Sequence, residues 1–386
     1  MLRKIRLTLA ILFFAAITLL FLDFTGTLHA WLGWMAKIQF LPAVLALNVG
    51  VILVLVALTL VLGRVYCSVI CPLGVMQDVV SWLSGRRSRK QKYRFGHSPA
   101  RSALRYGVLA LFVIALVAGA GSLVALLAPY SSYGRIVSNL FAPFYGWGNN
   151  LLAYFAGRAD SYAFYETSVW LKSLPTFLIA LVSFVAISLL AWRNGRTYCN
   201  TICPVGTVLG FLARFSLLRV RIDADKCTSC SLCSRRCKAA CIDYKHHRVD
   251  YSRCVSCMDC IGECKHGAIT YGLPAKKPAS APAATTPADK SSRRAFLGAT
   301  ALLASTAVLA QEKKKVDGGL AVIEDKQAPR RLTPIVPPGA LSARHFAQHC
   351  TGCQLCVSVC PNEVLRPSTS LLRLMQPEMS YERGYC

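Results

Sequence analysis

Acid is scarce in this chain. Its 386 residues include 18 Asp and Glu against 44 Lys and Arg, a formal net charge of +26. Charged residues make up only 16% of the whole, hydrophobic residues make up 54%, and the mean hydropathy is +0.43. That balance excludes an ordinary soluble protein. Other absences narrow the chemistry. No C-x-x-C-H string attaches a c-type haem, and the seven histidines form no pair within an apolar run that would bind a b-haem. Neither a G-x-G-x-x-G nor a P-loop string occurs, so a nucleotide-linked dehydrogenase or an ATP-driven pump has no support. No acid–base constellation suggests hydrolysis. The basic residues form no stripe or motif of a nucleic-acid binder, so nucleic acid is not an expected partner. They flank apolar runs instead, the pattern of an integral membrane protein with basic loops and membrane lipid around it.

Four runs approach the 20 apolar residues that a bilayer span needs: residues 5–24, 43–63, 106–128 and 174–192. Arg64, Arg86, Arg87, Arg89, Lys90, Lys92, Arg94, Arg101 and Arg105 follow the second run, and Arg193, Arg196, Arg214, Arg219 and Arg221 follow the fourth. The opposite loops hold Lys37 in one, and Arg135, Arg158 and Lys172 in the other. The positive-inside rule therefore places both ends of a four-helix unit in the cytoplasm. Residues 129–172 read as an outer loop whose aromatics (Tyr130, Tyr133, Phe141, Phe144, Tyr145, Trp147) meet the lipid interface.

The unit repeats itself. GRVYCSVICPLG from Gly63 and GRTYCNTICPVG from Gly195 agree at eight of twelve positions. Each copy follows the second helix of a helical hairpin, so the repeats are parallel, with their axis along the membrane normal. Such symmetry brings Cys67, Cys71, Cys199 and Cys203 within reach of one another. Those four thiols bind a metal or cluster, form redox-active disulfides, or pack; the repetition argues against packing alone. Pro72 and Pro204 suit the first turn of new helices. The apolar spacing of Val75, Met76, Val79, Val80 and Leu83, and of Val208, Phe211, Leu212 and Phe215, predicts amphipathic helices in the interface.

Eighteen cysteines at short, regular spacing point to metal clusters rather than disulfides. Cys227, Cys230, Cys233 and Cys237 form C-x2-C-x2-C-x3-C, and Cys254, Cys257, Cys260 and Cys264 repeat it. One tight loop aims three thiolates at three corners of a cubane, and the fourth comes from the other run. That rule gives one 4Fe-4S cluster to Cys227, Cys230, Cys233 and Cys264 and another to Cys254, Cys257, Cys260 and Cys237. Lys238 and Lys265 stand where bacterial ferredoxins often have Pro. Cys241 reads as a buried thiol beside the ligands.

Cys350, Cys353, Cys356 and Cys360 form a third such run, and Cys386 ends the sequence given. Either one further 4Fe-4S cluster forms, with Cys386 or Cys360 as the fourth ligand, or the sequence stops inside a domain, which is the preferred reading. Between the modules lies a Pro/Ala/Ser/Thr/Lys stretch. It leads into Ser292-Arg293-Arg294 and an apolar run of 16 residues, 295–310. This string reads as a twin-arginine export signal, with cleavage after Ala310 conceivable, or as a fifth membrane helix. Both put the C-terminal segment outside the cytoplasm.

The expected fold is thus an α-helical integral membrane protein, a four-helix unit of two parallel repeats with small α+β ferredoxin modules. The expected divisions are 1–222 membrane unit, 223–272 two-cluster ferredoxin, 273–292 linker, 293–310 signal or fifth helix, and 311–386 exported ferredoxin-like segment. Four helices, two C-x3-C-P repeats and two ferredoxin runs in this order resemble the NapH-type membrane ferredoxins, relatives of the NosR membrane core. The twin-arginine string and CTGCQLCVSVCP resemble the start of a NapG-type exported ferredoxin, as if the two were fused. NapG-type proteins carry several cluster runs; here there is one. The resemblance implies a quinol dehydrogenase component in the bacterial inner membrane. Its partners would be quinone or quinol and a periplasmic ferredoxin, cytochrome or reductase. A likeness to the CcoG-type copper reductases implies an alternative, with the C-x3-C-P thiols holding Cu(I).

Overall fold

The computed structural model describes residues 2–87, 93–160, 164–273, 334–381 and 385–386. The twin-arginine string, its apolar run and nearly all of the linker lie outside the described residues.

Two of the four expected spans are single helices. Leu2–Leu22 and Leu174–Asn194 have 21 residues each and mean hydropathies of 2.5 and 2.4, long and apolar enough to cross a membrane. At 1.5 Å per residue each is about 31 Å long, close to the hydrocarbon thickness. The other two expected spans are broken. Residues 43–63 divide into the helices Phe40–Leu45 and Val49–Leu62, because Leu47 turns to φ 52° and Asn48 caps a new start by accepting from Val51 N at 3.4 Å. Residues 106–128 divide into Ser102–Val117 and Gly121–Leu127 at Gly119, where φ is 73°.

The helical unit exposes many apolar side chains and buries several polar ones. Leu12, Leu53, Val54, Ile114 and Val182 are exposed, while Gln39, Thr59, Arg64, Ser131, Thr176 and Arg196 are fully buried. A water-soluble protein places these classes the other way round. In the helix Pro72–Arg86 the expected apolar set divides: Val75 and Met76 are buried in the bundle. Val79 and Leu83 face outward with Trp82, and Gln77, Ser81 and Ser84 face in. It is a packed member of the bundle, lying on Leu174–Asn194 and Leu2–Leu22. In Pro204–Leu212 and the turn after it, Phe211 and Phe215 are likewise exposed.

The expected outer loop is also corrected. Its first helix, Pro129–Ile136, is buried at all eight residues. It forms a re-entrant arch against Pro72–Arg86, Leu174–Asn194 and Gly121–Leu127. Tyr130 and Tyr133 are therefore core residues, packed against Phe21 in tilted and edge-on fashion at 5.5 and 6.4 Å between ring centroids. Only beyond the π-helical turn Val137–Phe141, in Ala142–Arg158, do Phe144, Tyr145 and Trp147 reach the surface.

The ferredoxin module is closed by an antiparallel pair, Arg219–Ile222 with Ile269–Gly272, in which Arg219 faces Gly272 and Ile222 faces Ile269. A short hairpin pairs Ile242 with Val249. Two five-residue helices, Leu232–Arg236 and Asp259–Glu263, each carry the third cysteine of a run and end at the fourth. The C-terminal module has one such helix, Leu355–Val359, and the pair Leu365–Pro367 with Pro377–Met379.

These modules touch opposite ends of one helix. At the start of Leu2–Leu22, Arg3 Nε donates to Asp259 Oδ1 at 2.9 Å. Just past its end, a Cβ on Gly26 would lie 3.7 Å from Val359 Cγ1.

Candidate metal centres

The repeated motif explains itself position by position. Gly63 and Gly195 end their helices at φ 71° and 69°, and each lies under the ferredoxin module. A Cβ at Gly63 would strike Ser256 Oγ, and one at Gly195 would strike the Lys238 carbonyl. The next residue of each copy reaches across to the other copy. Arg64 Nη2 donates to the Cys199 carbonyl at 3.3 Å, and Arg196 Nη1 donates to the Cys67 carbonyl. Gly74 and Gly206 leave room for this exchange, since a Cβ at either would overlap the same carbonyls. Tyr66 donates to Gln39 Oε1 at 3.0 Å and Tyr198 to the Leu127 carbonyl at 3.3 Å, tying each motif to an upstream segment. Pro72 and Pro204 begin the next helices.

This reciprocal packing brings the four C-x3-C-P thiols together in the core. All four are buried. Cys71 lies near Cys199 and Cys67, and Cys203 near Cys199, Cys71 and Cys67. Donors point at the sulfurs: Gln77 Nε2 lies 3.3 Å from Cys199 Sγ, Gly206 N 3.3 Å from Cys203 Sγ, and Arg64 Nη2 3.7 Å from Cys67 Sγ. Arg64 is fully buried, its other guanidinium bonds go to Asn200 Oδ1 and the Ser252 carbonyl, and its Nε has no partner. A buried cation that meets only neutral acceptors is costly. A metal–thiolate group held by the four cysteines would supply the missing negative charge.

In the ferredoxin module one opening is lined by Cys227, Cys230, Cys233 and Cys264, with Tyr244 and Ile269. On the other side Cys260 faces Cys257, Cys237 and Cys254. Burial pushes the Cys233 thiol up to about 11 and the Cys257 thiol up to about 12, so ligation must displace protons there. Cys241 sits between Cys237 and Cys254. Its Sγ is 3.5 Å from Cys237 Sγ, and that hydrogen bond draws the Cys237 thiol below its usual range.

The three C-x2-C-x2-C loops share one backbone. Ser229 and Ser231, Ser256 and Met258, and Gly352 and Gln354 all take φ between 50° and 65° at matching positions. Alternating left-handed residues turn successive N–H groups inward, which makes an anion-binding concavity suited to an iron–sulfur group. Among the described residues no three His, Cys, Asp or Glu side chains converge as closely as a single metal ion requires.

A charge network fixes the module to the bundle. Lys238 Nζ bridges Asp78 Oδ1 at 3.2 Å and Asp259 Oδ2 at 2.9 Å, and Arg196 Nη2 meets Asp78 Oδ2 at 2.7 Å. Burial opposes the charge on Asp78, but Arg196 and Lys238 outweigh it and hold the carboxyl well below its usual range. Lys238, rather than the Pro usual after this cysteine, is thereby explained; Lys265 is exposed and nothing in the structure accounts for it.

In the C-terminal module Cys350, Cys353 and Cys356 face one another. Cys360 lies toward Lys172, and Cys386 is exposed. Sequence reasoning missed Asp78, Gln77 and Asn200. It also counted Arg64, Arg105, Arg135 and Arg196 as loop charges, although all four are buried. The identity of Arg64 and Arg196 between the repeats was the available signal.

Residues 44–91 and 176–223 match the family model of a 4Fe-4S binding domain, and residues 345–366 match a second 4Fe-4S binding domain model. The ferredoxin-type protein NapH of Haemophilus influenzae is 28% identical over 201 residues, 52% of this chain and 56% of that protein. The methylamine utilization ferredoxin-type protein MauN of Paracoccus denitrificans is 27% identical over 54% of this chain and 57% of its own. The putative electron transport protein YccM of Escherichia coli is 24% identical over 51% and 47%. The chain spans about half the length of these curated relatives, and it is distantly related to them. No solved structure matches it.

Proposed function

We propose that this chain is a membrane-embedded iron–sulfur electron carrier, a quinol dehydrogenase component working between the quinone pool and a respiratory redox partner. The observation that carries the reading is the placement of cysteine modules at the two ends of the Leu2–Leu22 helix, with four buried thiols in the bundle. The printed descriptions of the relatives, ferredoxin-type and electron-transport proteins, support it. One 4Fe-4S cluster would be held by Cys227, Cys230, Cys233 and Cys264, and a second by Cys254, Cys257, Cys260 and Cys237. Cys67, Cys71, Cys199 and Cys203 would hold a further metal–thiolate group, and Cys350, Cys353 and Cys356 three corners of another. When bound, such groups accept and release single electrons at potentials set by burial and hydrogen bonds.

The protein's own part is to enclose these sites in apolar packing, to neutralise them with Arg64 and Lys238, and to fix their spacing through the Asp78 network. The ferredoxin end belongs to the cytoplasm by the positive-inside rule, and the C-terminal end to the periplasm. The whole resembles a NapH-type unit continued into a NapG-type segment.

The test is anaerobic purification in detergent, a count of iron and sulfide, and mixing with a menaquinol analogue while cluster absorbance is followed. Reduction by quinol, or reoxidation of pre-reduced protein by quinone, is expected. Clusters inert to both, with copper bound at the C-x3-C-P thiols, would replace this reading by copper reduction.

A further inference from the structure

The re-entrant arch carries an unbalanced charge. Arg135 is fully buried. Its Nη1 donates to the Ala125 carbonyl at 2.7 Å and its Nη2 to Ser132 Oγ at 3.2 Å, while its Nε has no partner. Among the described residues the ionisable groups that face it are Tyr198 and Cys353, and neither is a carboxylate. A guanidinium enclosed in this way needs an anion close by.

The surroundings indicate where the anion belongs. Gly134 backs onto the Cys353 carbonyl so closely that a Cβ has no room. Asn139 Nδ2 lies 2.9 Å from the Arg135 carbonyl and 2.8 Å from Gln354 Oε1, and so ties the arch to the residue after Cys353. On the other side Tyr198 adjoins Cys199 of the four-thiol centre. Arg135 thus stands in the wall between two thiol sites, and the C-terminal module is seated on that wall. Lys172 Nζ also holds the module, donating to the Val357 carbonyl at 3.0 Å.

We propose that Arg135 is the countercharge to a metal–thiolate group on Cys350, Cys353 and Cys356, and that it holds the reduction potential of that group up. The inference rests on the proposed iron–sulfur reading. Taking up one electron makes such a group one unit more negative, and a fixed cation beside it favours the reduced form. Removing the cation lowers the potential.

The experiment is a redox titration with dithionite, followed by electron paramagnetic resonance on the full chain in detergent. Wild type is compared with Arg135→Met and Arg135→Lys, with iron counted in each. One midpoint is expected to fall in R135M and to stay near wild type in R135K, with the other midpoints and the iron content unmoved. R135M with full iron and every midpoint unchanged overturns the proposal. Where R135M accumulates poorly, unfolding temperatures give a second measure. Cys353→Ala, which strands the cation, is expected to unfold at lower temperature, and R135M in that background is expected to recover part of the loss. Strictly additive losses overturn the proposal. Equal iron in wild type and C353A overturns the underlying reading, and the inference with it.

Discussion

At the residue scale, two glycines and one lysine decide how closely the thiols and the ferredoxin are held. Gly74 and Gly206 make room for the crossed arginines, so Ala at either forces apart a carbonyl and a guanidinium. Overpacking of this kind costs about 1–3 kcal/mol. G74A and G206A should each lower the unfolding temperature and loosen the four-thiol centre, while Gly262→Ala, with open space around it, serves as the neutral control. Lys238→Met leaves Asp78 and Asp259 facing each other with one cation fewer. Breaking a buried pair costs roughly 3–5 kcal/mol, and the ferredoxin should become the first part cut in limited proteolysis. Replacing Cys67 and Cys199 together by Ser should leave the visible absorbance of the two ferredoxin clusters intact; loss of all iron would mean that the sites are not separate. The cysteine runs were legible because their chemistry imposes a spacing. Asp78 and Gln77 were not, because a single acid or amide in an apolar helix carries no pattern until its partners on distant segments are known.

At the element scale, hydropathy found the segments but not their continuity. Runs 43–63 and 106–128 are apolar enough to suggest single spans, and a hydropathy window does not register one residue at positive φ. Leu47 and Gly119 break them. The arch was missed for a related reason: Tyr130, Tyr133 and Arg135 have the composition of an interface loop, and only tertiary packing buries them. The Pro72–Arg86 helix shows the limit of periodicity. Its period placed five apolar residues on one interfacial face, whereas Val75 and Met76 are buried in the bundle and only Val79 and Leu83 face out. A nitroxide at Val79 or Leu83 in a lipid bilayer should therefore be relaxed by oxygen and shielded from a water-soluble nickel complex. A nitroxide at Ser81 or Ser84 should be poorly accessible to both. Equal access of nickel to the outward positions would show that the helix lies in water.

At the scale of the whole molecule, the repeat is the organising device. A parallel duplication places both C-x3-C-P motifs at the same level, and exchange of Arg64 and Arg196 locks them together. The ferredoxin rests on Gly63 and Gly195, one glycine from each copy, so the duplication also builds its seat. The C-terminal module meets the other end of the bundle through Gly26 and Gly134. A helix about 31 Å long separates these contacts, so a bundle that crosses the bilayer is expected to present the two modules to opposite compartments. Protease sites placed at the exposed turns 245–247 and 339–341 test this directly. Protease added to intact spheroplasts should cut at 339–341 and spare 245–247, and inverted vesicles should give the reverse. Cutting of both turns from one side would mean that the bundle does not cross the membrane between its modules, and the charge assigned to Arg135 would then serve a site in the same compartment as the ferredoxin.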